Sequence, residues 1–177
     1  MKLTVNTGCM FSGKSSELCR QGQRHLLARH KVVFVKPSMD DRYSDDYIMT
    51  HNGLKAKAIN VDQTILVDDV LKADVVLLDE FQFYPASVVR EVQQLVKLKK
   101  TVYVSGLDMD SNGKAFDNMK EIMAIADEVK KFKAVCEICG EDAMFSHKHS
   151  GSIDETIELG AKDVYIPLCR ECFEKRR

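Results

Sequence analysis

The chain has 177 residues, 30% of them charged and 45% hydrophobic, with a formal net charge of −1 and six cysteines. Twenty-six Lys and Arg against 27 Asp and Glu exclude a strongly basic nucleic-acid binder and a polyanionic tail. The length predicts one domain, or one with a small appendage, able to bury roughly 70% of its unfolded surface without disulfide staples.

No uninterrupted apolar run approaches the ~20 residues of a membrane span. The opening MKLTVNTGCMFSGK meets its first glycine too soon for the apolar core of a secretion signal. The expectation is a soluble, cytoplasmic protein with no membrane partner. In a reducing compartment six cysteines point to metal or burial rather than to disulfides.

In chain order, residues 2–7 (KLTVNT) are β-branched and predict a strand running into Gly8. Residues 14–30 predict a helix with Leu18, Leu26 and Leu27 on one face, weakened by about 1 kcal/mol at Gly22 relative to alanine. Residues 31–35 (KVVFV) read as a buried strand ended by Pro37. The polar stretch 38–53, with four aspartates, reads as a loop. A short helix is expected over 62–71, and then the continuous apolar run DVVLLD at 74–79, closing on acid. Residues 86–99 predict a helix facing a sheet, 101–105 (TVYVS) a strand, and 116–129 a further helix through Met119, Ile122, Met123 and Ile125.

Apolar strands separated by helices predict an α/β fold with a parallel central sheet. From Ala134 onward cysteine pairs, glycines and polar residues replace that alternation. The boundary is placed near Lys133, giving domains 1–133 and 134–177. No internal repeat or low-complexity segment is present.

Residues 8–15, Gly-Cys-Met-Phe-Ser-Gly-Lys-Ser, fit G-x-x-x-x-G-K-[ST] without a gap, between a predicted strand and a predicted helix. Gly8, Cys9, Met10, Phe11, Ser12 and Gly13 supply a backbone that cradles phosphate oxygens. Lys14 reaches the β/γ-phosphates, Ser15 ligates Mg²⁺, and the helix N-terminus adds its dipole. The motif specifies a nucleoside triphosphate and no more. Asp79 closes a strand where open α/β sheets bind ligands, and it is the natural second Mg²⁺ ligand. Glu80 has two readings: it polarises a water for hydrolysis, or it takes a proton from an acceptor hydroxyl.

Cys136-x-x-Cys139 and Cys169-x-x-Cys172 form two knuckles, with residues 140–168 strung between them. Four thiolates in two such pairs predict a closed tetrahedral Zn²⁺ site, structural rather than catalytic. Cys9 lies inside the phosphate loop, and Cys19 is expected in the core of the first helix. His147 and His149 are expected on an exposed loop, because four cysteines already fill a zinc shell.

Together these features resemble the type II thymidine kinases, the cytosolic and viral class that pairs a RecA-like P-loop domain with a small zinc domain carrying a lasso-like loop. The resemblance runs through GCMFSGKSSEL at 8–18, DDRY at 40–43, THNG at 50–53, DEFQFY at 79–84, GLD at 106–108, CEICG at 136–140, Gly160, Tyr165 and CREC at 169–172. It implies transfer of the ATP γ-phosphoryl group to the 5′-hydroxyl of thymidine or deoxyuridine, with Glu80 accepting the proton and Mg²⁺ and structural Zn²⁺ as metals. Gln82 matches a position beside Glu80 on the nucleotide side. Met10 and Leu107 match residues bordering the 5-methyl group of the base, Phe83 an aromatic wall of the nucleoside pocket, and Phe116 a further substrate-binding position. Asp40 and Gly160 match positions near the sugar, Arg42 the phosphate end, and Ser146 and Tyr165 positions beside the base. A homo-oligomer, commonly a tetramer inhibited by the thymidine triphosphate, is implied as well. The chain departs from the family pattern at Asn52, Phe81, Ser111, Lys148 and Ala161, all on the acceptor side.

Two other classes fit parts of the pattern. A P-loop ATPase would use Glu80 on water and couple hydrolysis to a partner surface. A zinc-ribbon nucleic-acid module would need a basic stripe with stacking aromatics. Glu171 and Glu174 sit beside the basic C-terminal residues Lys175, Arg176 and Arg177.

Overall fold

In the computed structural model, the described residues are 1–38, 47–49, 55–150 and 164–176. The apolar runs become the middle of a sheet. Strands β1 (Lys2–Gly8), β2 (Val32–Pro37), β3 (Tyr47–Met49), β4 (Lys55–Val61), β5 (Val75–Leu78), β6 (Thr101–Gly106) and β7 (Glu128–Phe132) lie in the order β3-β4-β2-β5-β6-β1-β7. Six of them are parallel, and β3 joins β4 antiparallel at one edge. The fold is therefore α/β with a parallel central sheet.

Helices cover both faces. Alternate residues of each strand serve different cores. Phe34, Val75 and Leu77 face helix α1 (Lys14–Leu27) through its Leu18 and Cys19. Val35, Val76, Leu78, Val102 and Val104 face the other way, towards helices α2 (Asp68–Lys72), α3 (Val88–Lys97) and α4 (Asp117–Ile125). Gly22 lets α1 approach closely, since a Cβ there would lie 2.2 Å from the Phe34 ring.

Four expected boundaries move. The short helix expected over 62–71 covers only Asp68–Lys72. The helix expected to reach His30 stops at Leu27. Arg29 takes a φ of 63°, while Arg29 N–H and His30 N–H close back on the Leu26 and His25 carbonyls in a Schellman cap. The stretch expected as a loop over 38–53 contains β3. The helix expected over 116–129 ends at Ile125, and β7 follows. Asp127 turns the chain: its carboxylate accepts from Leu3 N–H at 2.7 Å, and its own N–H donates to the Leu3 carbonyl at 2.9 Å. Those two bonds lay residues 128–132 beside β1.

The C-terminal part has two small ladders, β8 (Ala134–Val135) with β9 (Asp142–Ala143) and β10 (Phe145–Lys148) with β11 (Tyr165–Leu168), followed by helix α5 (Arg170–Glu174). Its core gathers Ala143, Phe145, Leu168 and Phe173, with Phe145 and Phe173 stacked 4.4 Å apart. Cys9 is buried in the same cluster, and Phe11 packs against it. His147 lies on β10, half-buried with its ring edge-on to Phe173, not on an exposed loop. Among the described residues no helix is long and apolar enough to cross a membrane.

Candidate active site

β1 delivers the chain to residues 8–15 at the carboxyl end of the sheet. Gly8 adopts a φ of 138°, and a Cβ there would lie 2.2 Å from the Phe132 carbonyl oxygen, so only glycine fits. Lys14, at the first position of α1, folds back with its Nζ donating to the Cys9 carbonyl at 2.7 Å. Ser12 Oγ donates to the same carbonyl at 2.7 Å. Burial pushes the Lys14 ammonium below its ordinary range, against the opposing charges of Glu80, Cys9, Asp79 and Asp108.

β5 brings the acids to the same end. Asp79 is buried, and its Oδ1 accepts from Ser15 Oγ at 3.3 Å and from Glu80 N–H at 3.0 Å. Burial first, and then the neighbouring Glu80 charge, push its carboxyl up to about 7; the bonds from the Glu80 amide and the Ser15 hydroxyl, and the nearby Ser105 hydroxyl, oppose this. Two oxygens 3.3 Å apart suit adjacent corners of an Mg²⁺ octahedron with ~2.1 Å bonds.

Glu80 sits in the left-handed region, φ 49° and ψ 46°, a conformation that costs a non-glycine residue about 1 kcal/mol or more. The single turn that follows, Phe81–Phe83, is held from outside. Asn118 Nδ2 of α4 donates to the Phe81 and Tyr84 carbonyls at 2.8 and 3.0 Å. Gln82 is buried; its Nε2 donates to Glu80 Oε2 at 2.6 Å, and its Oε1 accepts from Leu107 N–H at 2.9 Å. Gly106 makes room for that arrangement, because a Cβ there would meet Met119 Sδ at 2.8 Å and Gln82 Oε1 at 2.9 Å.

The cysteine knuckles converge. The sulfurs of Cys136, Cys139, Cys169 and Cys172 all lie within 4.8 Å of one another, with Cys139 and Cys169 at 3.6 Å. A tetrahedral thiolate shell with ~2.3 Å Zn–S bonds places its sulfurs about 3.8 Å apart, so the donor set fits zinc. Burial opposes ionisation of Cys136, yet backbone amides of Cys169, Cys139 and Ile138 bring its thiol down to about 6. The knuckle closes with Gly140 N–H on the Cys136 carbonyl at 2.9 Å.

The structure thus brings residues 8–15, Asp79, Glu80 and Gln82 together. Leu107 meets them through its backbone amide. Phe83 is half-buried in the turn, and Phe116, half-buried at the start of α4, packs against the main core. Ser146 and Tyr165 are buried on β10 and β11, and Ser146 Oγ accepts from Met10 N–H at 2.9 Å. Asp40, Arg42 and Gly160 lie outside the described residues.

Sequence reasoning assigned no role to Asn118, Gly106 or Asp108. Asn118 carried a signal, as a polar residue amid the apolar period of 116–125. Asp108 is buried and paired with Lys131 at 2.7 Å, and its carbonyl accepts from Phe116 N–H at 3.1 Å.

Comparison with known families agrees with this arrangement over nearly the whole chain: the family model described as thymidine kinase matches residues 1–173. A phosphate loop, an acidic strand end and a four-cysteine cluster on one α/β scaffold, matched over that span, show that the chain belongs to the thymidine kinase family.

Proposed function

We propose that the protein transfers the γ-phosphoryl group of ATP to the 5′-hydroxyl of thymidine or deoxyuridine. Family membership makes it a nucleoside kinase with a nucleoside substrate; the donor, the acceptor atom and the residue roles are our reading. The observation that carries it is the Glu80 carboxylate, fixed by Gln82 within the electrostatic reach of Lys14. A carboxylate held by a neutral amide donor, beside a phosphate loop, is placed to receive a hydroxyl proton.

In this reading residues 8–15 wrap the triphosphate, and Lys14, holding the Cys9 carbonyl with one N–H, gives another to a β/γ-phosphate oxygen. Ser15 and Asp79 would hold Mg²⁺, which would neutralise charge on the phosphate oxygens. Glu80 orients the acceptor hydroxyl and takes its proton as the new oxygen–phosphorus bond forms and the bond from the γ-phosphorus to the β,γ-bridging oxygen breaks, releasing ADP. Because the transition state of phosphoryl transfer is loose, positioning and charge compensation outweigh basicity.

Gln82 holds the base. Met10, Leu107, Phe83, Phe116, Ser146 and Tyr165 border the nucleoside, with Asp40, Arg42 and Gly160 completing the acceptor side. We divide the chain into a nucleotide-binding unit, 1–133, and a zinc-binding unit, 134–177, where the four thiolates reinforce the small core that so short a segment can build. The protein works as a homo-oligomer in the cytoplasm.

The test is a phosphorylation screen of thymidine, deoxyuridine, deoxycytidine and deoxyguanosine with ATP and Mg²⁺. Thymidine and deoxyuridine monophosphates are the expected products. ATP turnover indifferent to added nucleoside would overturn the reading in favour of an ATPase.

A further inference from the structure

The phosphate loop is fastened from behind by the C-terminal part of the chain. Cys9 Sγ donates to the Ala143 carbonyl on β9 at 3.4 Å, and Met10 N–H donates to Ser146 Oγ on β10 at 2.9 Å. Phe11, next along, takes a φ of 63° and packs its ring against the core of Phe145, Leu168 and Phe173. A left-handed phenylalanine is costly, and that packing is what offsets the cost.

The Cys9 carbonyl and the Met10 N–H belong to one peptide group. The group is planar and trans, so its C=O and N–H point in opposite directions and turn together. Its carbonyl accepts from Lys14 Nζ and Ser12 Oγ, both at 2.7 Å, while its N–H is taken by Ser146. Whatever fixes the N–H therefore fixes the acceptor on which Lys14 rests. Ser146 is itself buried on a paired strand, with Ser146 opposite Pro167, so its hydroxyl is firmly placed.

We propose that Ser146 is a positioning residue for the phosphate loop: by holding the Cys9–Met10 peptide in one rotation, it sets the position of Lys14 and so the affinity for the phosphate tail of the nucleotide. This rests on the reading of residues 8–15 as the nucleotide site. It is separate from contact with the nucleoside base, because it operates with no nucleoside present. Loss of the Ser146 hydroxyl leaves the Met10 N–H without its partner and lets the peptide turn, taking the Lys14 acceptor with it.

The test is calorimetric binding of ADP with Mg²⁺ to the full chain, without nucleoside, on variants of native zinc content. Ser146→Ala is expected to weaken ADP binding by about tenfold, the effect of one lost hydrogen bond to a half-buried donor. Ser146→Thr keeps the oxygen and is expected to stay within about twofold of native. In a Lys14→Met background, Ser146→Ala is expected to lose most of its effect, since it acts through the lysine. A purely structural role would leave the loss unchanged in that background. Should Ser146→Ala not fold, Ser146→Cys keeps the volume with a poor acceptor and is read the same way.

ADP binding by Ser146→Ala within twofold of native, or an equal loss with and without Lys14, overturns the proposal and leaves the kinase reading standing. Failure to phosphorylate thymidine leaves this proposal untouched. Native protein that binds no ADP overturns both.

Discussion

Gln82 bridges Glu80 and the Leu107 backbone, donating to Glu80 Oε2 at 2.6 Å while accepting from Leu107 N–H at 2.9 Å. The amide cannot flip without setting a carbonyl oxygen against the carboxylate and an NH₂ against an N–H. Its orientation is therefore fixed, and so is the Glu80 oxygen that it holds. The other Glu80 oxygen then has a defined direction in which to meet a hydroxyl.

Glu80→Gln removes the proposed proton acceptor but keeps the shape. We expect kcat to fall by ~10²-fold or more while ADP affinity changes little. Steady-state kinetics beside calorimetric ADP binding checks this, and native turnover in the variant would refute the base assignment.

Gly106→Ala is expected to act on the same carboxylate from a distance. The new methyl meets Met119 Sδ and Gln82 Oε1 at 2.8 and 2.9 Å, so the Gln82 side chain must move off Glu80. Overpacking of this kind costs about 1–3 kcal/mol of stability. We expect kcat to fall roughly tenfold, as for Gln82→Ala, and the two changes together to do little more than either alone. Additive losses would show that Gly106 does not work through Gln82.

Asp79 gives a pH signature in nucleotide-free protein without added Mg²⁺. Its carboxyl is raised to about 7 in the fold from an ordinary value of 3.8. A raised acid makes no difference below the unfolded value, where both states are protonated. Its penalty grows as pH rises from about 4 and is complete above about 7. Asp79→Asn should therefore raise the melting temperature at pH 8, with the advantage vanishing near pH 4. A pH-independent difference between the two proteins would contradict the buried-acid assignment.

Cys139→Ser breaks the thiolate set at its most exposed member. We expect bound zinc to fall from one equivalent to near none and the C-terminal part to lose its cooperative melting, since metal binding there is folding energy. Elemental analysis of the native protein showing no zinc would defeat the assignment directly.

The central strands were legible because strands buried on both faces are written as unbroken apolar runs, as in KVVFV and DVVLLD. The edge strands were not. β7, EVKKF, alternates half-buried and exposed positions and carries three charges, as edge strands do to avoid pairing. Its start could not be told from the end of α4, because the turn between them depends on Asp127 reaching Leu3 across the sheet. The same limit applied within the site. Residues 8–15 and the four cysteines announced themselves by local spacing. The bond from Met10 to Ser146 spans most of the chain and has no periodic signal. Ser146 was picked out by resemblance as a neighbour of the base, and only the folded arrangement shows what its oxygen accepts.

The fold itself buries the Lys14 ammonium against the Cys9 carbonyl. Its dehydration belongs to folding, not to binding. An arriving phosphate meets the N–H groups that the Cys9 carbonyl leaves over, so little of its attraction is spent on drying the cation. The empty protein bears the difference as lost stability. An apolar residue at this one position would give a chain that folds more firmly and holds nucleotide worse.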